Sequence, residues 1–259
     1  MNPHKGGIDI MQNEVNIQTT RRYDPGILRP VIAGRRGYYF LKRTADIALA
    51  GFLLIVLSPI MSLIAVAIYL YSPGPIFFSQ ERVGARRIRM GGRQYWRQET
   101  FRCHKFRTMK INADSSVHKD YVQALIQNDQ KRMFEIQGED TQVRKLLNDP
   151  RIIQPGKFLR KFSLDELPQL WNVLHGEMSM IGPRPAIPYE VEIYKSWHYR
   201  RLEAQPGITG LQQVKARCTT DFDAQVKFDI EYVDNQSLWL DAKIALLTPL
   251  AVLSGRGAG

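Results

Sequence analysis

Residues 47–71 read IALAGFLLIVLSPIMSLIAVAIYLY, 25 positions without a charged side chain. Roughly 18 consecutive apolar residues are enough for a membrane-spanning candidate. A straight helix of this length measures about 37 Å, somewhat more than the roughly 30 Å hydrocarbon core. Pro59 lies near the middle of the run. It offers no N–H and its ring opposes the carbonyl of Ile55, and the neighbouring Ser58 hydroxyl can serve a freed backbone group. The arms 47–57 and 60–71 hold 11 and 12 residues. Each is about 17 Å long as a helix and reaches roughly the bilayer midplane, so a hairpin broken at Ser58-Pro59 returns to the face it entered from.

The flanks agree with a return. Arg29, Arg35, Arg36, Lys42 and Arg43 precede the run, and Arg82, Arg86, Arg87, Arg89, Arg93 and Arg97 follow it. Positive residues mark the cytoplasmic side and should be unequal across a span. A proline-kinked single span is the alternative that these residues alone leave open.

The 259 residues are 24% charged and 44% hydrophobic, which excludes disorder over the whole length and leaves the remainder too polar for many spans. Lys and Arg total 36 against 25 Asp and Glu, a formal charge of +11. That excess suits nucleic acid, an anionic membrane surface or phosphorylated substrates. Cys103 and Cys218 are the two cysteines and form no C-x-x-C, so neither a disulfide framework nor a cysteine zinc site is expected, and a reducing compartment is. The first thirty residues carry no apolar run resembling a cleavable signal peptide.

The expected fold is α+β and mainly helical. Residues 1–36 read as a polar tail or arm, 37–72 as a membrane helix, re-entrant or kinked, and 73–259 as a cytosolic domain. Ser72-Pro73-Gly74-Pro75 stops the helix. The segments flanking Gly91-Gly92 read as two strands of a small β-hairpin. Residues 81–110 hold ten Lys or Arg against Glu81 and Glu99, a basic stretch suited to anionic headgroups or phosphate. The pattern over 112–148 is helical, with Val122, Leu125, Ile126, Leu146 and Leu147 on inner faces. PGITG at 206–210 is a turn, and LWLDAKIALLTPLAVL a last apolar segment.

The richest stretch is KFLRKFSLDELPQLWNVLHGEMSMIGPRPAIPYE, at 157–190. Ser163-x-x-Glu166 matches a capping box, which predicts Asp165 and Glu166 in the first turn of a helix running through WNVL. Helix starts also bind phosphate. Arg160 lies just upstream, and Arg184 sits between Pro183 and Pro185, whose fixed φ restricts the loop. Carboxylates that hold a divalent ion beside guanidinium groups suit phosphoryl chemistry, although a structural salt-bridge network has the same signature.

In order, KRTADIALAGFLLIVLSP, GPIFFSQERVG, KFRTM, NDPRI, LRKFSLDELPQLWNVLHGEMSMIGPRP, PGITG and FDIEYVDNQSLWLDAKI closely resemble the bacterial sugar transferases, the monotopic polyprenyl-phosphate phosphoglycosyl transferases. The resemblance covers about residues 38–253. It implies transfer of a sugar 1-phosphate from a UDP-sugar to undecaprenyl phosphate, with release of UMP and a requirement for Mg2+. The setting it implies is the first membrane step of exopolysaccharide, capsule, O-antigen or glycoprotein glycan assembly. It also implies the re-entrant helix broken at Ser58-Pro59, lodged among inner-membrane lipids at the cytoplasmic face with both termini cytoplasmic. By the same resemblance Asp165 is the nucleophile, through a phospho-sugar aspartyl intermediate, and Glu166 its catalytic partner, both near the metal. Lys105, Arg107, Arg160 and Arg184 match the family's basic residues. Its Asn-Gly-Arg reads Lys215-Ala216-Arg217 here, and Arg217 is kept among the expected substrate or phosphate contacts. The stretch from about 115 to 144 is longer than in the smallest members.

Two rivals follow from other features. The charge alone favours a membrane-anchored nucleic-acid-binding protein, but no helix-turn-helix, zinc-finger or RNA-recognition signature accompanies it, and nucleic acid is not an expected partner. A catalytically inert scaffold is opposed by the intact Asp165-Glu166 pair. The sugar, the glycan pathway and any homo-oligomer stay open at the level of sequence.

Overall fold

The computed structural model describes residues 28–32, 34–111, 116–137, 151–216 and 221–253. A short strand β1 (Leu28–Pro30) precedes the long helix α1 (Arg36–Tyr71), and strands β2 (Phe77–Met90) and β3 (Arg93–Phe106) follow. Next come α2 (Ser116–Gln127), α3 (Gln130–Gln137), α4 (Gln154–Lys161), a 3₁₀ turn (Leu164–Glu166), α5 (Gln169–His175) and β4 (Ser179–Ile181). The chain continues through α6 (Pro188–Glu192), a second 3₁₀ segment (Ser196–Leu202), β5 (Gly207–Thr209), α7 (Leu211–Ala216), α8 (Phe222–Asn235) and α9 (Leu238–Leu253). The architecture is α+β, as expected.

The hairpin forms as the sequence predicts. Gly91 and Gly92 take φ of +55° and +77°, the pair of left-handed residues that a two-residue turn of the favoured twist requires. The strands pair from Met90↔Arg93 out to Phe77↔Phe106, and β1 adds antiparallel to the outer edge of β3. A second, two-stranded sheet joins β4 and β5 in parallel. There Gly207 is obligatory because a Cβ would lie 2.1 Å from the Gly182 nitrogen, so PGITG and the start of GPRP touch backbone to backbone.

Helix α1 runs without a gap through Pro59. The expected break is a repaired proline site: Ser58 Oγ donates to the Ile55 carbonyl at 2.8 Å, the acceptor that Pro59 cannot serve. Both arms rest on the same domain. Ala50 packs in a cluster with Phe101, Cys103, Leu170 and Val173, while Ile64 and Ile68 pack with Phe106, Ile153 and Leu159. Between these anchors Phe52, Ile55, Val56, Ile60 and Leu63 are exposed, Ile55 at 76%.

Polar contacts fix the first turns of α1. Lys42 Nζ donates to the Ile181 carbonyl at 2.9 Å and to Asp241 at 3.0 Å. Arg43 donates to the carbonyls of Val173 and Leu174 at the end of α5, and Asp46 accepts from the Met180 amide. Cations at a helix C-terminus satisfy its orphan carbonyls. The KRTAD motif therefore joins the apolar helix to the segment that follows the carboxylate pair.

In the region 112–148, Val122 and Ile126 are buried as expected and Leu125 packs beside them; Leu146 and Leu147 lie outside the described residues.

Candidate active site

The carboxylate pair is presented differently from the capping box predicted. Ser163 is left-handed, at φ +55°, and its side chain makes no cap hydrogen bond. Instead the Glu166 amide donates to the Ser163 carbonyl at 3.2 Å, closing the 3₁₀ turn that carries Asp165 and Glu166. The reason is Pro168, which caps α5: inside a longer helix it would remove a donor and clash with the carbonyl four residues back. The dyad thus precedes α5 by a turn. Asn172 anchors that helix to β3, accepting from the His104 amide at 3.0 Å and donating to the Arg102 carbonyl at 2.7 Å.

A cleft of about 830 Å³ opens over the dyad, within the range that holds drug-sized ligands and cofactors. Asp165, Glu166, Lys105, Arg107, Arg160 and Arg184 all line it. Two separated sequence motifs, KFRTM and LRKFSLDELPQLWNVLHGEMSMIGPRP, therefore converge, and both are fixed from outside. The KFRTM segment bridges to 151–153 through Ile153 N to Thr108 O and Lys110 N to Arg151 O. The Pro-Arg-Pro loop is held by Val83 N to Ala186 O at 2.8 Å and by Gly207 N to Pro183 O at 2.9 Å. Its prolines are buried while Arg184 is exposed in the cleft.

Lys105 Nζ donates to Glu166 Oε1 at 2.7 Å. Burial works to raise the Glu166 pKa, but Lys105, Arg184 and Arg82 outweigh it and hold the carboxyl below its ordinary range. Glu166 is ionised at neutral pH. Arg107 is buried and donates to the Ser72 carbonyl at the end of α1, while its Nε and Nη1 are buried without hydrogen-bond partners. Arg217 lies outside the described residues.

Arg82, counted from sequence only as a basic flank, belongs to this site. It is 6% exposed, lines the cleft, and donates to the Pro185 carbonyl at 2.9 Å and to Gln80 at 2.7 Å. Burial, then Arg184, pulls its pKa down, yet a guanidinium stays charged. The signal was legible: hairpin register places Arg82 opposite Phe101, on the face that carries Cys103 and Lys105 two and four residues on. His118, Glu190, Arg201 and Gln213, which no motif reading singled out, also line the cleft.

Among the described residues no group of three His, Cys, Asp or Glu is arranged to hold a metal ion. The donor set fits magnesium that arrives with a phosphorylated substrate, since that ion keeps waters and takes one or two carboxylates plus phosphate oxygens.

Residues 37–255 match the bacterial sugar transferase family. The undecaprenyl-phosphate galactose phosphotransferase of Salmonella typhimurium is 41% identical over 86% of this chain and 43% of its own length. The UDP-glucose:undecaprenyl-phosphate glucose-1-phosphate transferase of Escherichia coli is 38% identical over 80% of this chain and 39% of its own. The exopolysaccharide production protein ExoY of Sinorhizobium fredii is 36% identical over 96% of this chain and 100% of its own. The chain spans less than half the length of the first two relatives. With its dyad, its basic cleft and this match over most of its length, the chain belongs to the bacterial sugar transferase family.

Proposed function

We propose that this protein transfers a sugar 1-phosphate from a UDP-sugar to undecaprenyl phosphate, releasing UMP, at the start of a surface-glycan pathway. The observation that carries this is the convergence of Lys105, Arg82, Arg160 and Arg184 on the cleft that holds Asp165 and Glu166. Paired phosphates are what so many fixed cations beside two carboxylates suit.

The reaction proceeds in two displacements. An oxygen of Asp165 bonds to the sugar-bearing phosphorus, and the bond from that phosphorus to the UMP oxygen breaks, with UMP leaving on the electron pair. A phosphate oxygen of undecaprenyl phosphate then bonds to the same phosphorus and expels the Asp165 carboxylate. Lys105 and the arginines hold the phosphoryl oxygens, and Glu166 orients the site through Lys105. Asp165 and Glu166 would hold a magnesium ion, which would supply charge neutralisation for the diphosphate.

In this reading α1 is re-entrant. Both of its arms pack on one domain, so the exposed middle between Phe52 and Leu63 dips into the inner leaflet of the cell membrane from the cytoplasmic face. The exposed Trp239, Leu246 and Leu250 of α9 add apolar surface for lipid. Purified enzyme with undecaprenyl phosphate, magnesium and a panel of UDP-sugars tests the activity: UMP should appear with at least one donor, and its absence with every donor would refute the reading.

A further inference from the structure

One end of the cleft lies at the C-terminus of α1 and differs in chemistry from the rest. Pro75, Phe77, Phe78, Arg107 and Ile111 line it. Direct contacts place them together. Arg107 Nη2 donates to the carbonyl of Ser72, the residue that caps α1, and the Arg107 amide donates to the Ile76 carbonyl at 2.8 Å. A Cβ on Gly74 would lie 2.5 Å from Ile111 Cδ1 and 3.2 Å from Arg107 Nη1, so those two side chains meet over this glycine. Phe77 pairs with Phe106, the residue before Arg107, and stacks on its ring at 5.4 Å between centroids. Phe78 pairs with Lys105, which holds Glu166 at 2.7 Å. An extended chain rises about 3.3 Å per residue, so Arg107 stands about 7 Å beyond Lys105.

Two features of this end call for a ligand that is both anionic and apolar. Arg107 is 5% exposed and uses Nη2 alone, while Nε and Nη1 are buried without partners. Buried donors in native proteins are matched, and a guanidinium with open N–H groups suits a phosphate. Beside this cation Phe77, Phe78 and Ile111 remain 54%, 48% and 50% exposed. Tyr69, Leu70 and Tyr71, on the last turn of α1 just before Ser72, are exposed as well. Apolar side chains therefore lead from the outer face of α1 to the guanidinium. A UDP-sugar is polar from end to end and gains nothing from such a wall; a phosphate carrying a hydrocarbon chain matches both parts of it.

We propose that Arg107, Phe77, Phe78 and Ile111 form the acceptor subsite, in which the guanidinium takes the phosphate of the polyprenyl phosphate and the apolar side chains take its first isoprene units. The assignment rests on the sugar-phosphate transfer argued above. It divides the cleft by substrate: Arg107 serves the lipid in the second displacement, and Arg184 and Arg82 serve the donor in the first. The chain of the lipid then runs past Phe77 and Phe78 toward the exposed face of α1.

Rapid-quench kinetics of the full-length protein in nanodiscs separates the two displacements. The UMP burst and the sugar-phosphate adduct formed without acceptor report the first, and loss of the adduct on adding undecaprenyl phosphate reports the second. Arg107→Met should give a burst of wild-type size, whereas discharge at limiting lipid should slow about tenfold or more, as expected for a lost charge-assisted hydrogen bond. Phe78→Ser and Ile111→Ser alter half-exposed side chains that the fold does not need. Each should raise the KM for undecaprenyl phosphate several-fold and leave the KM for the UDP-sugar in place. Wild-type discharge in all three variants would overturn the subsite. So would a reduced burst with normal discharge in Arg107→Met, which would give Arg107 to the donor, or an equal loss of both steps in Phe78→Ser. A wild type that gives no UMP burst with any UDP-sugar overturns the transfer reading and the subsite with it.

Discussion

Lys105, near the end of β3, donates a 2.7 Å hydrogen bond to Glu166, on the 3₁₀ turn that also carries Asp165. Sixty-one residues of chain separate the pair. The contact ties the basic strand to the carboxylates and sets the charge state of Glu166, because Lys105 is the foremost of the cations that overcome its burial.

Lys105→Met should therefore raise the Glu166 pKa, since burial then meets less opposition. The sign follows from the depressed carboxyl: its stabilisation is present above the unfolded pKa and is lost as pH falls through the folded one. With Lys105 gone that loss begins at higher pH, and the acidic limb of UMP release should move upward. An acidic limb that stays in place would show that Glu166 does not titrate in the rate.

Arg184→Lys keeps the charge but loses the planar fork that grips two phosphate oxygens. A charge-assisted hydrogen bond contributes roughly 1.5–3 kcal/mol, so activity should fall about 10- to 100-fold. Steady-state UMP release measures this, and full activity would reduce Arg184 to a generic charge.

Gly207→Ala places a Cβ 2.1 Å from the Gly182 nitrogen and 2.6 Å from the Thr209 carbonyl, backbone atoms that cannot swing aside. Overpacking of this kind costs about 1–3 kcal/mol, so thermal unfolding in detergent should start several degrees lower. An unchanged midpoint would mean that β4 and β5 can separate without cost.

Much of this arrangement is legible in the chain. The Gly91-Gly92 turn fixes the hairpin register, and that register brings Arg82 to the face of Lys105. Pro59 beside Ser58 announces both the missing donor and its replacement. Other features depend on tertiary packing. The capping box at Ser163 loses to Pro168 and a left-handed residue, a competition between two local signals that sequence alone does not rank. Arg201 and Gln213 carry no motif because long-range folding brings them to the cleft.

The topology is open to labelling. Cysteines introduced near residues 5 and 255 should both react from the cytoplasmic side if α1 is re-entrant. Replacing Pro59 with Leu and Ser58 with Ala removes the proline site and its serine repair and leaves a regular apolar helix free to straighten across the bilayer, and some molecules should then expose their N-terminus to the periplasm and lose activity. Periplasmic labelling of the wild-type N-terminus would contradict the re-entrant assignment.

The central claim is that Asp165 carries the phospho-sugar. Intact-protein mass spectrometry, after incubation with magnesium and an active UDP-sugar but without acceptor, reads it directly. Wild type should gain the mass of one sugar phosphate with release of UMP, and the adduct should vanish on adding undecaprenyl phosphate. Asp165→Asn should show neither adduct nor turnover, and Glu166→Gln should be severely impaired. An adduct that persists in Asp165→Asn, or UMP release by that variant near the wild-type rate, would contradict the account.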